Sequence, residues 1–450
     1  MEETALREKM TQDFPAIVGF LKELLKIPSV SSLPEHEKDM VKSAQFVRSQ
    51  LEGAGVDAKV IQVTDPNTGE VSRPAILGVK AGPENAPTVL LYAHHDVQPA
   101  AGQSGWDTPP FEPVEKDGRL YGRGSSDDGA GIAVHLAALR AWGEELPVTV
   151  KLFIEGEEEV GSPTFRALLE QNLDFMRSDV IMVADSSNWD PETPALTSGL
   201  RGVLSTTVEV RTLTHAVHSG EFGGVALDAL TSLCRLLATL HDEKGRVAVP
   251  GLKRELEADV DYPEAELREQ MGMVPGLELI GEGDLASRMW SQPAISVIGL
   301  DAPTVANSSN TLIPSAAARI SMRIAPGEDP LSAAAALQKY LENHAPFGAE
   351  VKVTINELGP SYAADLEAEA TKLMHEALTD AFEKTSVNIG SGGSIPFIAT
   401  FRELIPEAQI LVTGVEDPLS QAHSENESQD LEEMRKAALA EALFFGRLGA

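Results

Sequence analysis

The chain has 450 residues, 42% of them hydrophobic, a formal net charge of -33 and one cysteine, Cys234. That length exceeds the usual single compact domain and predicts two, while the acidic surface repels phosphate backbones and anionic headgroups, so no nucleic-acid or membrane partner is expected. One cysteine permits no intramolecular disulfide and leaves His and carboxylates to build any metal site; the charged start MEETALREKMTQDF, with no apolar secretory stretch, points to the cytoplasm.

Along the first 200 residues, short apolar β-rich runs alternate with helical patterns: TVLLYA from Thr88, GAGIAVHLAALRAW from Gly129, VTVKLFIE from Val148 and DVIMVA from Asp179. Strand followed by helix predicts an α/β layer on a mixed, largely parallel sheet flanked by helices. From about Gly199 the texture changes. LSTTVEVRT, ARISMRIA and EVKVTINE alternate apolar and polar residues, with helical patterns over 227–240 and LSAAAALQKYLEN. Half-exposed antiparallel strands with two helices on one face describe an inserted α+β unit. The α/β texture then resumes with a helix over 367–382, the strand AQILVTGV and a terminal helix from Asp430. The expected division is a catalytic domain of residues 1–197 and 362–450 around a lid of residues 198–361.

Ionisable residues collect where these strands end. TVLLYA runs into His94, His95 and Asp96; VTVKLFIE into Glu157, Glu158 and Glu159; DVIMVA into Asp185; AQILVTGV is followed closely by His423. In open parallel sheets, ligands bind in the crevice beyond the carboxyl ends of the strands, so four segments deliver donors to one rim. Asp127 and Asp128 follow the Gly-rich turn YGRGSSDD and precede a helical pattern. One of the two is expected to cap that helix and the other to reach the rim. Imidazole with hard oxygen donors suits zinc, manganese or cobalt. A carboxylate can bridge two such ions with its two oxygens, and a further carboxylate that is not a ligand would be the general base.

The ordered strings YAHHDVQP, LYGRGSSDDGAG, EGEEEVGSP, DVIMVAD, VHSGEFGG, GGSIP and AHSENE resemble one branch of a zinc metallopeptidase family, the carnosinases and cytosolic non-specific dipeptidases. That family also holds aminoacylases, acetylornithine deacetylase and succinyl-diaminopimelate desuccinylase. The resemblance implies two divalent ions per subunit, zinc first and manganese or cobalt next. His94, Asp127 and Asp185 would hold one, and Asp127, Glu159 and His423 the other. It makes Glu158 the general base, Asp96 the residue orienting His94, and His218 the donor to the oxyanion. Arg323, Gly392, Gly393 and Ser394 would hold the substrate's carboxylate. His95 is expected to neighbour the site, and His215 to be structural. It further implies a ferredoxin-like βαββαβ lid, a homodimer and a small peptide substrate, with Asp at 185 favouring a peptidase over a deacylase. The alternatives are an N-acyl amino acid deacylase with the same catalytic residues, and a non-catalytic metal- or peptide-binding protein on a degenerate scaffold. The chain departs from the pattern in having Gly129 and Ala130 after the Asp pair, where relatives commonly place Lys before Gly, and in lacking an Arg-Glu pair before GGSIP.

Overall fold

The computed structural model describes residues 2–100, 102, 104–393 and 396–450, with the backbone alone at Pro396. It divides into two compact units: residues 1–198, 364–389 and 400–450 form one, and residues 199–363 and 390–399 the other.

The first unit is built on a six-stranded sheet. Its order is Asp57–Ile61, Ala75–Lys80, Thr149–Glu155, Thr88–His94, Val180–Val183 and Gln409–Val412. The last four strands run parallel to one another, and Ala75–Lys80 is antiparallel to both of its neighbours, which makes the sheet mixed and largely parallel. Side chains alternate between its faces. Val89, Leu91 and Ala93 enter a large apolar core with the helices Glu3–Leu25, Gly129–Trp142, Glu369–Phe382 and Leu431–Leu448. Tyr92 turns the other way, into an aromatic cluster with Phe153, Phe165 and Phe401. Both faces of the strand are thus covered, which explains why TVLLYA is apolar throughout. The helix Gly129–Trp142 is buried at all but one of its positions.

The second unit holds a four-stranded antiparallel sheet ordered Ala294–Asp301, Ser315–Ile324, Gly202–Arg211 and Glu350–Gly359. With the helices Ala229–Ala238 and Pro330–Asn343, the chain order is βαββαβ, the ferredoxin-like connectivity. Leu204, Val208, Ile320, Met322 and Ile324 face those helices and form the unit's core with Leu233, Leu236, Leu337 and Leu341. Among the described residues no helix is long and apolar enough to cross a membrane.

Candidate metal centre and active site

The carboxyl ends of the parallel strands lie along one edge of the first unit, and the side chains that follow them converge. His94 closes its strand beside Glu155. Asp185 follows the strand ending at Val183, Glu158 and Glu159 start a short 3-10 turn three residues beyond Glu155, and Asp127 sits in the loop before the buried helix.

Two groups of donors result: His94, Asp127 and Asp185, and Asp127, Glu159 and His423, each with its ligand atoms within 4.8 Å of one another. Asp127 belongs to both. Its Oδ1 lies 2.9 Å from His94 Nε2, and its Oδ2 lies 2.8 Å from His423 Nε2. His94 Nε2 is 4.0 Å from Asp185 Oδ1, and His423 Nε2 is 3.1 Å from Glu159 Oε2. One carboxylate therefore presents an oxygen to each His-carboxylate pair.

The residues fit divalent ions. His94 Nδ1 lies 3.0 Å from the Asp96 carbonyl and 3.4 Å from its Oδ1, both acceptors, so Nδ1 carries the proton. Nε2, buried, faces Asp127 Oδ1 at 2.9 Å and Asp185 Oδ1 at 4.0 Å, without a well-directed hydrogen bond to either. A ring nitrogen that faces two carboxylates is the arrangement a divalent cation completes, the imidazole then serving as a neutral ligand. Donor spacings of 2.8 to 4.0 Å also bracket the roughly 3.4 Å that two zinc bonds of about 2.1 Å subtend at a tetrahedral angle.

Charge makes the same point. Burial pushes Asp185 up to about 7, with Asp127, Glu158 and Glu159 adding to the rise. Burial likewise raises Asp128 and Glu416 well above the ordinary carboxylate range. Hydrogen bonds that the His423 ring donates to Asp127 and Glu159 lift it to about 11. Acids that must hold protons when packed together become carboxylates once a cation supplies the missing charge.

The surrounding residues hold this geometry. The Asp96 carboxylate, fully buried, accepts the main-chain N–H groups of Glu158 at 3.2 Å and Glu159 at 3.1 Å. It thus ties the His94 strand to the Glu-rich turn. Burial also raises Glu158, whose side chain stays partly open to solvent. Glu157 is different in kind: it is buried, and its carboxylate accepts from Arg73 N, Thr164 N and Thr164 Oγ1, bonds that lock the turn. His95 is buried against Ser43 Oγ and the Pro74 carbonyl, a structural neighbour of the site. The cap expected of the Asp pair does not form. Asp128 stands at the N-cap position, but its carboxylate makes no cap bond and accepts instead from His94 N at 3.0 Å. The backbone of the metal-facing histidine takes Oδ2, and Oδ1 is buried with no hydrogen-bond partner among the described residues.

Two residues around the centre escape a reading of strand ends. Gln98 Nε2 donates to Glu159 Oε2 at 2.8 Å. Glu427, fully buried, accepts from Arg123 Nη1 at 2.7 Å and from the main-chain N–H groups of Gly124, Ser126 and Asp127. That carboxylate shapes the loop that carries Asp127. Its only sequence signal is its place four residues after His423 in AHSENE.

In the second unit, His218 is exposed at the end of a two-residue strand paired with Thr311–Leu312. Its Nδ1 accepts from Gly220 N at 3.0 Å, which places the proton of the neutral ring on Nε2 and makes that atom a donor. His215 is exposed beside Thr214 Oγ1. Arg323 lies on the strand Ser315–Ile324. Gly392 and Gly393 follow Ser391, whose hydroxyl accepts from Gly393 N at 3.2 Å; Ser394 lies outside the described residues.

Comparison with known proteins gives this arrangement its context. The chain is 33% identical over 449 residues to the cysteinylglycine-S-conjugate dipeptidase of Corynebacterium striatum, covering 98% of this chain and 97% of that protein. It is 27% identical to the Beta-Ala-His dipeptidase of Rattus norvegicus over 91% of this chain and 88% of that one. Its fold resembles the dipeptidase Dug1p of Saccharomyces cerevisiae with a TM-score of 0.73 at 24% identity, over 100% of this chain and 98% of that one. Human carnosine dipeptidase 1 superposes with the same TM-score at 23% identity, over 100% and 99% of the two chains. Residues 90–445 match the peptidase family M20/M25/M40, a span that takes in all five converging donors, and the chain belongs to that family.

Proposed function

We propose that this protein is a metal-dependent dipeptidase that hydrolyses the peptide bond of small peptides. The carrying observation is the placement of Asp127, one oxygen toward His94 and the other toward His423. The names of its relatives, dipeptidases acting on cysteinylglycine conjugates, Cys-Gly and Beta-Ala-His, support a dipeptide over an N-acyl amino acid.

His94, Asp127, Asp185, Glu159 and His423 would hold two divalent ions, zinc in the first instance and manganese or cobalt as alternatives. Such ions, when bound, supply Lewis acidity to a substrate carbonyl and lower the pKa of water. The chain's own residues do the rest. Asp96 keeps the His94 proton on Nδ1. Glu158 takes a proton from the attacking water at its carboxylate and delivers it to the departing amine. Its raised pKa suits a group that must accept and then release that proton. His218, with its proton on Nε2, donates to the carbonyl oxygen as negative charge develops. Arg323 and the Gly392–Gly393 backbone hold the carboxylate end of the substrate.

Residues 1–197 and 362–450 are proposed as the catalytic domain and 198–361 as the lid. A homodimer formed through the lid is supported by the edge strand Ala294–Asp301, which leaves Val297, Ile298 and Leu300 exposed. The cytoplasm is the proposed location.

Glu158→Gln tests the mechanism. Metal content should be unchanged and turnover of dipeptides should fall by about 10²- to 10⁴-fold, the usual contribution of a positioned proton carrier. Full activity in that variant would remove Glu158 from its role.

A further inference from the structure

We propose that Arg201 is a second carboxylate-binding residue, paired with Arg323 so that two guanidiniums take the free carboxylate end of the substrate; this rests on the dipeptidase reading above.

Arg201 stands just before the strand Gly202–Arg211, whose Gly202 and Val203 pair with Ile324 and Arg323. Leu204 and Ile324 enter the core against the helices. By the two-residue alternation of strands, Arg201 and Arg323 fall together on the opposite face. They are near enough for their charges to repel: burial, and then Arg323, lower Arg201 to about 10. Among the described residues, neither guanidinium has a carboxylate within 4.0 Å, although 69 of the chain's residues are Asp or Glu.

Arg201 is poorly satisfied by the protein itself. Among the described residues its Nε is buried with no hydrogen-bond partner, and Nη1 reaches only the Gln292 carbonyl, at 3.4 Å. Its position is nevertheless built. Its main-chain N–H donates to the Ser391 carbonyl at 3.2 Å, and a β-carbon at position 392 would come to 3.0 Å of its Nη2. Gly392 thus leaves the room that this guanidinium occupies.

A half-buried pair of like charges with an unmet N–H costs free energy that water relieves only in part. A ligand carboxylate removes both costs, because its two oxygens accept from two planar donors at once. A solvated surface arginine would have no buried, unpartnered Nε.

The test compares a free-acid dipeptide with its C-terminal amide in the full metal-loaded chain, together with calorimetric binding of succinate as a probe that needs no turnover. Arg201→Met should raise KM for the free acid about tenfold or more, change kcat by less than about threefold, and leave KM for the amide unmoved. Arg201→Lys should recover part of the loss, since lysine keeps the charge without the fork. Succinate affinity should fall with Arg201→Met by a similar factor. Equal effects on acid and amide, or an unchanged succinate affinity, would overturn the inference. If wild-type protein turns over neither peptide, the dipeptidase reading fails, while an Arg201-dependent succinate affinity would still establish the anion site.

Discussion

Glu427 shows what single residues do around this centre. Its carboxylate is enclosed, pairs with the equally buried Arg123, and accepts three main-chain N–H groups from the segment ending at Asp127. Glu427→Ala would take the carboxylate of a buried ion pair away from Arg123, a loss of about 3–5 kcal/mol in chemical denaturation. It should also weaken metal binding, since Asp127 would lose the loop that aims its two oxygens. Stability and metal affinity indistinguishable from wild type would show that this carboxylate organises nothing. His94, Asp127, Glu159, Asp185 and His423 are legible in the sequence because each sits in or just past a strand end or turn that an apolar run announces. Glu427 and Gln98 are not legible in that way. Their partners come from segments about 300 and 60 residues away, and no local pattern carries such pairing. The fate of Asp128 was hidden for a related reason: its carboxylate chooses between its own helix and the His94 backbone, and only the tertiary fold brings that backbone within reach.

Among the elements, the helix Leu431–Leu448 carries a testable charge at its start. Asp430 caps it by accepting from Glu432 N and Glu433 N. Glu433 is buried, and burial raises it to about 10, with Asp417 adding to the rise and an Asn188 hydrogen bond opposing it. A carboxyl group whose folded pKa lies above its unfolded value stabilises fully below the unfolded value, near 4.5, and that contribution is lost as pH climbs through the folded one. Stability should therefore decline between about pH 5 and 10, on the order of a few kcal/mol. Glu433→Gln keeps an acceptor for Asn188 and a donor for Asp417 without the ionisation. Its denaturation curve should flatten over that range and lie above wild type at alkaline pH; an unchanged slope would contradict the assignment. The helix over Gly129–Trp142 was evident from its apolar pattern, whereas the strand Ala294–Asp301 was not. Its apolar residues Val297, Ile298 and Leu300 face outward at a sheet edge, and a bulge between Val297 and Gly299 breaks the alternation that reveals a strand.

The molecule as a whole carries a bridged pair of donor groups in one unit and an arginine pair in another, within a chain whose relatives at 33% and 27% identity are named dipeptidases. The largely parallel sheet and an inserted α+β unit followed from where apolar runs, alternation and helical periods fall along the sequence, and the βαββαβ order of that unit from the family resemblance; the spacing of donors a few ångströms apart could come only from the fold. The central claim is that these five donors hold ions that make the protein a dipeptidase. It is tested most directly by amine release from a panel of free dipeptides and N-acyl amino acids, using chelator-treated protein before and after adding zinc or manganese. The account predicts cleavage of dipeptides that is absent without metal and restored by it. Cleavage of acyl amides alone would move the protein to the deacylases, and silence on both panels with metal bound would contradict catalysis of this kind altogether.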